Sequence, residues 1–155
     1  MNEAIYQRFQ EICRQQRWKC TAQRLAVFAY VHDNDDHPDV DDVWREVKGT
    51  LPSVTRESIY RILNEFTDHG LLRRLDHVTS ARYDCQVGPH GHFLCTRCGQ
   101  IQDFPLPEPV TVPRGAISGD VEHLELRLTG ICKRCRKPQT KTRKPKPAIQ
   151  EKEEP

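Results

Sequence analysis

The sequence predicts an α+β fold: an N-terminal winged-helix domain joined to a small α/β domain built around a four-cysteine site. Three observations lead there. Apolar residues recur at helical spacing over positions 1–70, behind polar capping residues. Two short strand-like runs follow directly. Farther on the pattern becomes an alternation, framed by two CxxC pairs. The chain has 155 residues, which suits two small domains. Domains of that size bury little apolar surface, so a metal or a second subunit commonly completes them.

Met1 to Trp18 is predicted as a helix with Ile5, Phe9, Ile12 and Cys13 on one face. Thr21 is placed to cap a second helix whose inward residues are Leu25, Phe28 and Ala29. His32 to Pro38 is a polar, acidic loop. Asp39 caps a third helix carrying Val40, Val43, Trp44 and Val47, with Gly49 as its stop. After Pro52, Thr55 caps a fourth helix with Ile59, Ile62, Leu63 and Phe66 inward and Gly70 at its end. Two strands, Leu71 to Leu75 and Ala81 to Asp84, form a hairpin through the turn His77 to Ser80. Helices followed by such a hairpin make the winged-helix pattern of residues 1–85.

Gln86 to Pro89 reads as a hinge (86–89). The second domain is placed at 90–136, with strands His92 to Cys95, Ile101 to Phe104, and Leu124 to Leu128. A Pro-rich, β-branched stretch, Pro105 to Gly119, lies between them. From Arg136 onward the chain has no aromatic residue and one large aliphatic, Ile149, with 7 Lys/Arg against 3 Asp/Glu. Residues 137–155 therefore read as a disordered, basic, Pro-rich tail. A solubilising role and non-specific contact with DNA both fit it.

Net charge is only +2, so the total does not announce a nucleic-acid binder. The distribution says more. Residues 1–85 hold 12 Lys/Arg and 14 Asp/Glu. Seven of those acids (Asp33, Asp35, Asp36, Asp39, Asp41, Asp42, Glu46) fall within 33–46, leaving 11 bases against 7 acids elsewhere. That balance allows a basic face, and equally an ordinary mixed surface. The absence of a long apolar run and of a basic-then-apolar leader points to the cytoplasm and away from membranes. Thiols stay reduced there.

Cys95/Cys98 and Cys132/Cys135 each fold tightly enough for both sulfurs to reach one ion. Two such pairs give a closed set of four thiolates, which suits structural Zn²⁺ and leaves no position for a substrate. Gly99 allows a tight turn after the first pair. Arg97, Lys133, Arg134 and Arg136 would offset the negative tetrathiolate. Cys13 and Cys20 read as core or near-surface thiols. Cys85 is open between bystander, extra ligand and oxidation target.

A second constellation mixes nitrogen and oxygen. His90 and His92 share a face if they lie on one strand. Asp103 lies on the next strand, Asp84 ends the wing, and His37 sits in the acidic loop. Such a set suits Fe²⁺, Mn²⁺ or Zn²⁺. The bare alternative is that these histidines are surface groups and the aspartates solvated or capping ones.

The chain resembles the ferric uptake regulator (Fur) family over nearly its whole length up to Arg136. The matching residues are Thr21-Ala22-Gln23-Arg24, His37-Pro38, Ser58-Ile59-Tyr60-Arg61 and Gly70-Leu71-Leu72. To these add His90-Gly91-His92-Phe93-Leu94-Cys95-Thr96-Arg97-Cys98-Gly99 and Gly130-Ile131-Cys132-Lys133-Arg134-Cys135. The resemblance implies a homodimer that binds an inverted-repeat operator in double-stranded DNA when its regulatory metal is bound, usually as a repressor. It implies that the Thr55–His69 helix enters the major groove, bringing Thr55, Arg56, Ser58, Tyr60 and Arg61 to the DNA. Arg24, Arg73, Arg74 and Arg82 would touch the DNA backbone.

The set His37, Asp84, His90, His92 and Asp103 is similar to that of the peroxide-sensing (PerR) branch, where aspartate rather than glutamate occupies the Asp103 position. A histidine found in many iron-responsive members would align with Leu124, and here His123 comes one residue early. The branch implies Fe²⁺-dependent oxidation of a ligand histidine, His37 or His90, by H₂O₂, with Mn²⁺ supporting DNA binding but not this chemistry. The other reading within the family is a Fur- or Zur-type regulator sensing iron or zinc availability. Two features depart from the pattern. The stretch where the dimerisation helix belongs is shortened and Pro-rich, allowing at most a brief helix near Pro113 to Ile117, and the tail is an addition.

An enzyme of zinc deaminase type would need an HxE next to a cysteine pair. His123-Leu124-Glu125 lies in a strand-like run very close to Cys132, with no proline before that cysteine, so the chain is expected not to be an enzyme. A thiol oxidoreductase would need one reactive CxxC rather than two matched pairs.

Overall fold

A computed structural model describes residues 3–32, 34–76, 80–106, 110–121 and 124–136. The expected tail 137–155, the tip of the wing turn at 77–79 and His123 lie outside the described residues. The first unit comprises four helices, α1 (Glu3–Gln16), α2 (Ala22–Val31), α3 (Val40–Thr50) and α4 (Arg56–Asp68), and the hairpin β1 (Arg73–Asp76) and β2 (Ala81–Asp84). A second sheet holds β3 (His90–Cys95), β4 (Ile101–Pro105) and β5 (Leu126–Gly130) in the order β4-β3-β5. This is the predicted α+β architecture.

The helices begin where the capping residues put them. The Thr21 hydroxyl accepts from the Arg24 N–H, and the Thr55 hydroxyl from the Ser58 N–H. Asp39 and Asp42 close a reciprocal capping box. Gly70 ends α4 as expected: at φ 69° it lets the Leu71 N–H reach the Phe66 carbonyl at 2.8 Å and its own N–H reach Thr67 at 3.0 Å, a Schellman motif. Gly49 does not stop α3. The helix runs through it to Thr50, and the Leu51 N–H still donates to Val47. Pro52, two residues on, cannot extend the ladder, and that ends the helix.

Phe9, Val27, Val43, Ile59, Leu63 and Phe66 are fully buried between the helices, and Trp18 stacks on Phe66 at 5.6 Å. Each such side chain contributes roughly 1.5–3 kcal/mol by leaving water. Tyr83 brings the wing into this core, and its N–H donates to the Pro38 carbonyl at 3.0 Å.

In the second sheet β3 pairs antiparallel with β4 and parallel with β5. The parallel pairing puts Cys95 opposite Gly130, so both cysteine pairs fall at one end of the sheet. Strand β3 starts two residues earlier than expected, at His90, and β5 two residues later, at Leu126. The expected brief helix near Pro113–Ile117 is absent. A single turn, with the Ala116 N–H on the Pro113 carbonyl at 3.1 Å, takes its place.

Candidate metal centres

Five side chains from both halves of the chain converge at the junction between them. His90 and His92 project from one face of β3, and Asp103 sits directly across from His92 on β4. Asp84 closes β2, and His37 enters from the loop before α3. His37, Asp84 and His92 are 1–2% exposed. The His37 Nε2 lies 2.9 Å from Asp103 Oδ1, and the His90 Nε2 lies 3.1 Å from Asp84 Oδ2. The His92 Nε2 is 3.5 Å from each of those carboxylate oxygens and 3.0 Å from the His90 Nε2.

Two overlapping sets of three, His37/His92/Asp103 and Asp84/His90/His92, each bring their ligand atoms within 4.8 Å of one another, and His92 belongs to both. Mixed nitrogen and oxygen donors at such spacing suit a divalent cation. The hydrogen-bond inventory agrees. His37 Nε2, Asp84 Oδ2 and Asp103 Oδ1 are buried without a hydrogen-bond partner among the described residues. Leaving three such atoms buried and unpaired is costly, and a cation among them removes that cost.

The surrounding backbone orients the donors. His90 Nδ1–H donates to the Gly88 carbonyl at 2.9 Å, which leaves the Nε2 lone pair facing the centre. The Gln86 N–H donates to Asp84 Oδ1 at 2.7 Å. Burial pushes the Asp84 carboxyl up, but the His92 contact, the Gln86 N–H and the neighbouring imidazoles outweigh it and hold the acid below its usual range. His37 takes a left-handed backbone conformation, φ 52°, in the loop before α3.

The four cysteines form the second cluster, with sulfur atoms within 4.8 Å of one another. Each CxxC is a tight turn. The Gly99 N–H, at φ 71°, donates to the Cys95 carbonyl at 2.9 Å, and the Cys135 N–H donates to the Cys132 carbonyl at 3.0 Å. The N–H groups of Cys132 and Cys98 hold the Cys95 thiol down at about 6, and the Gln100 N–H lowers Cys98. Cys135, packed against Cys98 and Cys132, is pushed up to about 12. The Arg134 guanidinium sits against Cys98, and Arg97 donates to the Cys135 carbonyl at 3.0 Å. All four thiols are unpaired by disulfides. Four sulfurs in such turns suit tetrahedral zinc.

The family model of the ferric uptake regulators matches residues 15–127. This chain belongs to the ferric uptake regulator family. It is 31% identical over 126 residues to the peroxide-responsive repressor PerR of Staphylococcus aureus (strain USA300), covering 79% of this chain and 85% of that one. In fold it is similar to the Helicobacter pylori ferric uptake regulator Fur, with TM-score 0.70 at 20% identity over 89% of this chain and 95% of that chain. The Francisella tularensis ferric uptake regulator solved with iron gives TM-score 0.63 at 25% identity over 77% and 96% of the two chains. As a Fur-family member this chain is a metal-responsive transcription regulator, not an enzyme. No helix among the described residues is long and apolar enough to cross a membrane.

In this Fur-family chain, the DNA-contact residues expected from sequence divide into two groups. Tyr60 and Arg61 lie exposed on α4, and Arg61 makes a surface pair to Glu57 at 3.3 Å. Arg56, also on α4, pairs with Asp41, and Arg74, on β1, with Asp76 at 3.0 Å. Thr55 and Ser58 are occupied in capping α4. The second group is tied into the protein. Arg24 makes a bidentate pair with Glu65, at 2.6 and 3.1 Å, and donates to the Lys19 carbonyl. Arg73 and Arg82 also bond inward. Sequence reasoning missed the main-chain groups at Gly88 and Gln86, which no residue type announces. It also missed the buried Tyr83 and the link from Arg127 to the Asp76 carbonyl at 3.3 Å.

Proposed function

We propose that this protein is a DNA-binding transcriptional repressor that senses hydrogen peroxide through oxidation of a ligand histidine, His37 or His90. The observation that carries this reading is the pair of buried clusters His37/His92/Asp103 and Asp84/His90/His92, which share His92 and draw donors from two folding units. The 31% identity to a peroxide-responsive repressor supports it, as does aspartate at position 103.

On this reading residues 1–85 form the DNA-binding unit, 86–89 the hinge, 90–136 the dimerisation unit and 137–155 a tail. Cys95, Cys98, Cys132 and Cys135 hold structural zinc, and the nitrogen–oxygen set holds Fe²⁺ or Mn²⁺. When bound there, Fe²⁺ supplies the electrons that turn H₂O₂ into a histidine oxidant. The chain's own residues do the rest. His37 belongs to the helical unit, and His90 and His92 to the sheet, so their shared engagement fixes the angle between the two. Oxidation of His37 or His90 removes one of the five donors, and the two units are no longer held at that angle. A homodimer then presents its two α4 helices at the wrong spacing for an inverted repeat, and DNA is released. Thr55, Arg56, Ser58, Tyr60, Arg61 and Arg74 form the proposed DNA-facing set.

The test is to load zinc-replete protein anaerobically with Fe²⁺ or Mn²⁺, add equimolar H₂O₂ and map oxygen by peptide mass spectrometry. Added oxygen on His37 or His90 in the iron sample alone is expected. Intact histidines with metal retained would overturn the peroxide reading and leave a Fur- or Zur-type regulator of metal supply.

A further inference from the structure

We propose that Arg73 and Arg82, expected from the family resemblance to touch DNA phosphates, are instead positioning residues for the nitrogen–oxygen centre. Each holds, through a main-chain carbonyl, the segment that carries one ligand histidine. The inference rests on the reading above that this centre binds a divalent cation.

Arg73 lies on β1 directly opposite Asp84, itself one of the five converging groups. Its guanidinium is tied to the main chain rather than free. It reaches back across the 86–89 segment, donating to the Val87 carbonyl at 2.5 Å and the Gly88 carbonyl at 3.2 Å. The same Gly88 carbonyl accepts the His90 Nδ1–H at 2.9 Å. One acceptor therefore joins the wing to the outer nitrogen of a ligand ring. That bond fixes the imidazole tautomer and the ring's rotation. Without Arg73, the Gly88 carbonyl keeps the His90 ring but loses its tie to the wing, and both the tautomer and the direction of Nε2 are released.

Arg82 repeats the device on the other side of the centre. From β2 it donates to Asp42 Oδ2 at 3.3 Å and, at 3.4 Å, to the carbonyl of His37. The neighbouring Tyr83 N–H takes the next carbonyl, Pro38, at 3.0 Å. Two consecutive carbonyls of the His37 loop are thus fastened to one strand. A left-handed histidine persists only when its surroundings over-determine it, and these bonds supply that constraint. A guanidinium committed to protein carbonyls is also a poor phosphate ligand, because it must break those bonds first.

The experiment uses the full-length, zinc-loaded protein and Arg73→Gln, Arg73→Lys and Arg82→Gln. Free Mn²⁺ is followed by its EPR signal during titration, and binding to a mixed-sequence DNA duplex is measured against salt at saturating Mn²⁺. Zinc content and thermal melting check the fold. Arg73→Gln should weaken Mn²⁺ by roughly 10–100-fold, the range typical of outer-shell partners, with an unchanged salt slope. Arg73→Lys, which keeps a donor for Gly88, should retain more affinity than Arg73→Gln, and Arg82→Gln should weaken Mn²⁺ as well. In the metal-free protein, ¹⁵N shifts of His90 should show a fixed tautomer in the native chain and a mixture in Arg73→Gln. Unchanged Mn²⁺ affinity together with a salt slope reduced by about 0.9 would make these residues phosphate contacts and overturn the proposal. Failure of the native chain to bind Mn²⁺ would instead overturn the reading of the centre itself.

Discussion

At the scale of single residues, the centre is defined by what its atoms lack within the protein. Asp103 Oδ1 and His37 Nε2 face each other across the junction, buried and without a good hydrogen bond. Asp103→Ala should therefore weaken Mn²⁺ binding by more than roughly 10-fold while leaving zinc content at one per chain, since the cysteines lie on other turns. Metal analysis of the same sample decides this, and loss of both metals together would mean that Asp103 supports the fold instead. The residue types of this set could be read from sequence because HxH on a strand, with an aspartate on the partner strand, must share a face. His37 could be named as a candidate by residue type, but its loop has no periodicity that would set it beside the strand. Gly88 and Gln86 could not be found at all, since they act through main-chain atoms.

At the scale of elements, caps and hydrophobic periodicity were enough for the helices, and the exceptions have local causes. Gly49 looked like a stop, but the helix tolerates glycine and yields only to Pro52. The parallel pairing of β3 with β5 had no local signal, because it joins segments about thirty residues apart in sequence. Gly91 shows why the ligand strand tolerates so little change. It sits between His90 and His92 opposite Phe104, and a Cβ there would fall 2.3 Å from the Phe104 ring. Gly91→Ala is expected to cost about 1–3 kcal/mol by overpacking and to weaken Mn²⁺ binding by displacing both rings. Pairing it with Phe104→Leu should recover part of the melting temperature. If the single variant melts normally, the close approach is not a constraint.

At the scale of the whole molecule, the two halves differ in what they leave exposed. Of the ten exposed large hydrophobic residues among the described ones, seven fall between Val110 and Ile131, so most of that exposed apolar surface belongs to the second half. Strand β5 is also an edge strand, with Leu128 50% exposed on it. Surfaces of this kind mark association, and the homodimer proposed above is its natural occupant. Leu128→Asp should yield a monomer by light scattering and sharply reduced binding to an inverted-repeat duplex, with Mn²⁺ affinity retained. A variant that stays dimeric would place the interface elsewhere. The Pro-rich stretch before β5 explains why sequence alone could not describe this surface: it carries apolar residues without a regular period.

Strand β3 carries donors to both centres, with His90 and His92 near its start and Cys95 at its end. At about 3.3 Å per residue, only about 10 Å separates His92 from Cys95 along the strand. The sulfur cluster fastens that strand to β5, and the histidines take their alignment from the strand so fastened. On the proposed reading, metallation therefore has an order: zinc enters first and builds the platform that the second metal needs. A cell starved of zinc would then hold a regulator that cannot read its other metal, whatever the supply of that metal.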